Sequence, residues 1–281
     1  MTHVLRSVLR AALVVSFAAF GAAQLPDGAR AERQGREWQA ELPEQQPLVS
    51  RALGALKGSA QSGQGGQLYF VGFAGFGYQA VFKREVQEVR KLFDERFGTR
   101  DRSVALINHP STVNDVPLAT IENLEQVLTG LGSIMDVAND TLFLFVTTHG
   151  VQSLLAIEMP SVGLDPLRPQ ALKAMLDRSG IKNRVIVLSA CHSGSFIPVL
   201  ADARTLVITA ARADRTSFGC EDKRPWTYFG DAFFNRALRK ETSFKRAFAQ
   251  ASKQIAAWES AEKLTPSLPQ MKGGEKLRLP E

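Results

Sequence analysis

Two stretches decide the fold: Thr141–Gly150, TLFLFVTTHG, and Arg184–Gly194, RVIVLSACHSG. Each is an unbroken apolar run of strand length, rich in β-branched or aromatic residues. Continuous runs, rather than alternating ones, mark strands buried on both faces, as in parallel sheets covered by helices. The first run closes on His149 and the second on Cys191, and a small residue follows closely in each case. Laid side by side and parallel, the two strands bring both side chains to one edge of a sheet. That edge, outside the carboxyl ends, is where open α/β sheets place their ligands.

The same pattern continues on either side. Leu68–Phe73 (LYFVGF), Ser103–Asn108 and Thr205–Ala211 (TLVITAA) read as further buried strands. Between them, Val81, Val86, Val89, Leu92, Phe93 and Phe97 recur at helical spacing, with charges between and Gly98 as the stop. Leu118–Val137, Pro169–Ser179, Asp231–Arg239 and Ser243–Trp258 predict four more helices. Leu154–Met159 predicts a hairpin, Thr216–Tyr228 a loop, and Pro266–Leu277 one last short strand. Strands alternating with helices predict an α/β fold of three layers, a mostly parallel sheet with helices on both faces. Right-handed crossovers then gather His149, Cys191, the turn after Phe73 and the loop after Ala211 at one edge.

Composition narrows the functional classes. The 281 residues are 44% apolar and 22% charged, with a formal net charge of +6. Arg6 and Arg10 are the only charges before Gln24, so +6 less two leaves +4 on the rest. That mild, dispersed excess points away from nucleic acid. Residues 1–23 read as a signal peptide: a basic start, an apolar core from Ala11 to Phe20, then small residues. Export to the periplasm or medium is expected, with membrane contact only if this segment stays uncleaved as an anchor. Residues 24–66 are polar, with a glycine-rich stretch at Gly58–Gly66, and read as a linker or a propeptide. A short helix is possible at Leu48–Leu56. The folded domain is expected from 67 to 281. Two cysteines, Cys191 and Cys220, make neither a disulfide framework nor a zinc cluster. They could bridge each other in an exported chain, but a free thiol at Cys191 suits a strand end followed by small residues.

A thiol becomes a good nucleophile as its thiolate, and a neighbouring imidazole promotes that state. The same imidazole can then protonate a leaving amine. The anionic intermediate needs donors fixed in advance. The backbone N–H groups of Gly150 and Cys191 are the candidates. His192 is set aside as the base because neighbours on an extended strand face opposite ways, and His109, before Pro110, is read as a loop residue. The basic residues from Lys83 to Arg102 are read as the wet face of a helix, and Glu221 and Asp222 as solvated loop charges.

These residues resemble those of the legumain (haemoglobinase) family of cysteine peptidases, in the caspase-like clan. Thr147-Thr148-His149-Gly150 matches the family's T-x-H-G strand end, and Ala190-Cys191-His192-Ser193-Gly194 its A-C-x-S-G. Thr209-Ala210-Ala211, Ser217, Cys220, Lys223-Arg224, Thr227-Tyr228 and Gly230-Asp231 resemble its downstream pocket stretch. The likeness covers most of Leu68–Leu238. It implies the caspase/haemoglobinase α/β fold and endopeptidase activity on peptide or protein substrates, through a Cys–His dyad and an acyl-enzyme, without metal or organic cofactor. It places Ser189, Ala211 and Asp231 along the substrate pocket.

Two departures bear on specificity. Legumains carry an acid two residues before the nucleophile, where this chain has Ser189. Their loop after the first strand carries an asparagine that orients the histidine and an arginine in the pocket. Ala74-Gly75-Phe76-Gly77-Tyr78-Gln79 supplies neither. Asp231 remains, either as a pocket acid favouring a basic or amide side chain or as the N-cap of its helix. Cleavage after asparagine is therefore not inherited from the resemblance. Transpeptidation, with an amine in place of water, uses the same groups. A non-catalytic peptide-binding module on the same fold is the reading from another class.

Overall fold

The computed structural model describes residues 43–58 and 66–279. Six strands form one sheet in the order β2-β1-β3-β6-β7-β8: β1 (Leu68–Ala74), β2 (Ser103–Ile107), β3 (Thr141–Thr147), β6 (Asn183–Ser189), β7 (Thr205–Thr209) and β8 (Gln270–Gly273). All neighbouring pairs are parallel except β7 and β8. β4 (Gly150–Val151) and β5 (Leu154–Leu155) make a separate small hairpin. The apolar runs are buried throughout β1, β3 and β6, as strands covered on both faces must be.

Helices cover both faces. One core packs Val81, Val86, Val89 and Phe93 of α2 (Ala80–Arg96) with Phe143 and Phe145 of β3 and Phe233, Phe234 and Phe244. The other packs Leu124, Val127 and Leu131 of α3 (Ile121–Ile134) and Leu172 and Leu176 of α4 (Pro169–Arg178) against Leu142 and Leu144. Side chains alternate along β3 between the two cores, as the period of an extended strand dictates. The turn after Cys191 winds through a 3-10 helix, Ser193–Phe196, into α5 (Ile197–Leu200). Then come α6 (Tyr228–Gly230), continuing as a π-helix over Asp231–Ala237, and α7 (Phe244–Ala261).

The folded unit starts earlier than residue 67. α1 (Gln45–Gly54) buries Leu48 and Val49, and Gln45 Oε1 accepts the Leu118 N–H at 2.8 Å. Gln67 N–H and Tyr69 OH bond to Asp140 Oδ1 and to the Lys57 carbonyl, each at 2.7 to 2.8 Å. A chain segment with buried apolar residues and side-chain bonds to the sheet layer is part of the domain rather than a spacer. The signal peptide reading and the glycine-rich stretch at 59–65 lie outside the described residues. Among the described residues, no helix is long and apolar enough to cross a membrane.

Candidate active site

β3 and β6 pair in register from Thr141↔Asn183 to Thr147↔Ser189. His149 and Cys191 therefore each lie two residues beyond the last pair, on the carboxyl edge. Beyond the ladder the chains stay close. Thr148 N–H donates to the Ser189 carbonyl at 3.2 Å. A Cβ on Gly150 would stand 2.5 Å from the Cys191 carbonyl oxygen, so only glycine lets the strand ends approach this far.

The imidazole is clamped on three sides. Phe76 and Phe82 meet the ring edge-on, with centroids 4.5 and 5.1 Å away. Gln79 Oε1 lies 2.6 Å from His149 Nε2. An amide oxygen cannot donate, so Nε2 carries the proton and Nδ1 keeps its lone pair. Burial alone lowers the His149 pKa below 6.5, which favours the neutral base.

Gln79 sits at the N-cap of α2 but makes no side-chain cap bond. Asp222, from the loop after Cys220, accepts the Ala80 N–H at 2.6 Å instead. Gln79 is thereby free to face the histidine. The loop after β1 does supply a side chain that bonds the imidazole, a glutamine. Asp222 is also more than a solvated loop charge, and Arg84 is not simply on a wet face: its guanidinium donates to the Asp222 and Arg224 carbonyls at 2.5 and 2.6 Å.

Cys191 is held by a different element. Its Sγ accepts the Ser217 N–H at 3.3 Å, with the Ser217 hydroxyl at 3.7 Å. Among the described residues no hydrogen bond joins the thiol to the imidazole; each rests on its own partners. Such bonds are commonly loose in a free enzyme and tighten around substrate. Cys191 and Cys220 are both free thiols, with no bridge between them. Burial, and then the proximity of Cys191, push the Cys220 thiol up.

The turn after Cys191 explains His192. The strand ends at Ser189, and His192 takes a left-handed conformation with φ of 55°. Its N–H donates to the Arg215 carbonyl at 2.8 Å and its Nδ1 lies 3.0 Å from the Ala213 carbonyl. The ring is thus engaged away from the thiol by a turn, not by strand alternation. His109 caps the 3-10 turn at Pro110–Thr112, its Nδ1 accepting the Ser111 N–H at 3.1 Å.

The expected pocket residues divide. Ala211 is wholly buried, and its peptide groups serve the nucleophile turn: its carbonyl accepts the Gly194 N–H at 2.9 Å and its N–H donates to Ser193 Oγ at 3.3 Å. It supports the turn rather than lining a pocket. Asp231 is not the N-cap of its helix; Thr227 is, accepting the Gly230 N–H at 3.0 Å. The Asp231 carboxylate is taken by Asn235 at 2.7 Å and by Arg236 at 3.0 Å. Paired in this way, it is not an open pocket acid. Ser189 is buried, 3.4 Å from the Thr227 hydroxyl.

A carboxylate absent from the sequence reading sits beneath this edge. Glu85 is fully buried and accepts the Thr147 hydroxyl, the Thr227 N–H and the Thr227 hydroxyl, each at 2.7 Å. A Cβ on Gly230 would overlap its Oε1, at 1.9 Å. Desolvation pushes the Glu85 carboxyl above its ordinary range, against the three hydrogen bonds that lower it. Glu85 ties the end of β3, two residues before His149, to the loop that carries Ser217.

The fold matches a known architecture. The structure of caspase-1 from Spodoptera frugiperda superposes with a TM-score of 0.52 at 14% identity, covering 74% of this chain and 86% of that one. The fold is a caspase-like α/β fold. A comparison with curated proteins gives no match. A profile of the peptidase C13 family matches residues 118–276, over half of the chain, and the chain belongs to that family of cysteine peptidases.

Proposed function

We propose that the protein is an endopeptidase that cleaves peptide bonds through Cys191 and His149. The observation that carries this reading is the β3–β6 register, after whose last pair His149 and Cys191 each follow by two residues on the carboxyl edge. His149 Nδ1 takes the thiol proton, and Sγ attacks the carbonyl carbon of the scissile bond. The oxyanion forms beside the N–H groups of Gly150 and Cys191. The Ala156 N–H bonds the His149 carbonyl at 2.9 Å, so the next pair, Gly150 and Leu155, is of the non-hydrogen-bonded kind. The Gly150 N–H is therefore turned out of the hairpin, where it can serve as a donor.

Collapse of the intermediate breaks the C–N bond, and His149 returns its proton to the departing amine. Water then attacks the thioester with His149 as base, releasing the acid and the Cys191 thiol. An amine at that step would give transpeptidation through the same groups. Gln79 holds the imidazole throughout in the tautomer that leaves Nδ1 free.

The test is a degenerate peptide library with cleavage sites read by mass spectrometry. Cys191→Ala should lower turnover by at least about a thousandfold while the thermal unfolding curve is kept. Undiminished cleavage by that variant refutes the assignment of the nucleophile. A wild-type protein that binds peptides, cuts none and leaves Cys191 unreactive toward iodoacetamide is a binding module instead.

A further inference from the structure

The sheet order fixes which way a peptide must cross the site. Cys191 follows β6, His149 follows β3, and the Ala74–Gln79 loop follows β1, on the far side of His149 from Cys191. The acyl half of the substrate stays bonded to Sγ, and the departing amine must sit where His149 can protonate it. The half of the peptide after the cut therefore runs past the imidazole toward β1.

One exposed apolar side chain lies on that side, in the Ala74–Gln79 loop, and a second lies in the hairpin just after His149. Among the described residues the exposed large hydrophobics are Tyr78, Val151, Leu268 and Leu279, at 51%, 59%, 40% and 42% exposure. The first two flank the histidine: Tyr78 precedes Gln79, and Val151 follows Gly150. Scattered exposed apolar residues are ordinary, but these two are held in place. The Tyr78 ring lies 5.6 Å from Phe76, which itself packs on His149. Val151 stands in the β4–β5 hairpin, whose tip is tied down by the Ser153 N–H donating to Ser195 Oγ at 2.9 Å. Loop and hairpin segment are joined as well: Glu158 N–H bonds the Gly75 carbonyl and Gly77 N–H the Glu158 carbonyl, both at 2.8 Å. Apolar surface held in place in this way binds at a reduced ordering cost.

We propose that Tyr78 and Val151 form an apolar subsite for the side chain immediately after the cut. The favoured substrates are then peptides with an aromatic or branched aliphatic residue at that position. Glu158, exposed on the same seam, works against an acidic residue there. The proposal rests on the assignment of Cys191 and His149 given above.

The experiment uses the full chain and peptide pools that are degenerate before the cut and carry Phe, Leu, Ser, Asp or Lys after it. Wild type should favour Phe and Leu over Ser and Asp by about tenfold, the lower end of what a single methylene is worth in an apolar pocket, as suits an open site. Tyr78→Ser and Val151→Ser should each shrink that ratio severalfold. Their losses should be larger on peptides than on coumaryl amides, which lack a residue after the cut. Because Tyr78 touches the histidine's platform, Val151→Ser on its separate element guards against a general disturbance. Equal preference for all five residues in the wild type, or an unchanged ratio in both variants, overturns the subsite. Cleavage that survives in Cys191→Ala overturns the underlying assignment instead.

Discussion

The Gln79 side-chain oxygen lies 2.6 Å from His149 Nε2, while Gln79 itself occupies the N-cap position of α2 without capping it. Helix and histidine compete for one side chain, and the histidine holds it because Asp222 covers the helix end. A glutamine with no capping role at a cap position is poorly placed for helix stability, so its placement serves the imidazole. Gln79→Ala should lower kcat/KM by about tenfold to a hundredfold, at or below the lower end of what general acid–base groups themselves contribute, because Gln79 orients the base rather than acting as one. It should change the unfolding midpoint little. A variant of full activity would mean that Phe76 and Phe82 alone fix the ring.

The pH profile carries a second expectation. Burial holds the His149 pKa below 6.5, so the neutral imidazole persists into mildly acid solution. The acid limb of kcat/KM should therefore fall below pH 6.5. Gln79→Glu would put a carboxylate against Nε2, favour the imidazolium and move that limb upward. Rates measured across pH 4.5–8 would check both, and a wild-type limb above 6.5 would place some other group in control.

How far the sequence could be read depended on what each residue contributes to pattern. The strands were legible because TLFLFVT and RVIVLS are continuous apolar runs, which only doubly covered strands require. The two site residues were legible because each closes such a run. Gln79 was not legible because a glutamine after Gly77-Tyr78 has no periodic mark. Ser217 had no sequence signal as a thiol contact; its N–H reaches Cys191 Sγ only through the fold of an irregular loop. Glu85 could have been found. It lies on the stripe of Val81, Val89 and Leu92, where a carboxylate breaks the apolar face. The neighbours of Asp231 and Ala211 come from folding alone: one helix turn supplies Asn235 and Arg236 to the first, and the nucleophile turn encloses the second.

That buried carboxylate gives a stability prediction whose sign follows from proton linkage. The folded pKa of Glu85 is raised by burial above its ordinary value, so the folded state binds the proton more tightly than the unfolded chain. Its contribution is fully present below the unfolded pKa and is lost as pH rises through the folded one. Glu85→Gln keeps an acceptor for Thr227 and removes the ionisation. The variant should lose less stability than wild type between pH 4.5 and 8, as read by urea unfolding at several pH values. The opposite slope would mean that the three hydrogen bonds outweigh burial. Glu85→Ala, which leaves Thr147 and Thr227 without their acceptor, should destabilise at every pH by about 1–3 kcal/mol or more.

Glycines separate steric demand from mere flexibility. A Cβ at Gly150 would lie 2.5 Å from the Cys191 carbonyl oxygen and 3.1 Å from Leu155, whereas one at Gly163 meets nothing within 4 Å. Neither glycine needs a positive φ, so the contrast is one of space alone. In Gly150→Ala the clash is with backbone, and relief requires one strand end to move away from the other. The expected cost is about 1–3 kcal/mol of stability. The loss of kcat/KM should be larger, because the movement carries a proposed oxyanion donor and the neighbour of His149 away from Cys191. Gly163→Ala should leave both unchanged. Thermal unfolding and peptide cleavage measured on the two variants side by side test this. If Gly150→Ala retained wild-type kcat/KM, the close approach of the two strand ends would not be needed for catalysis.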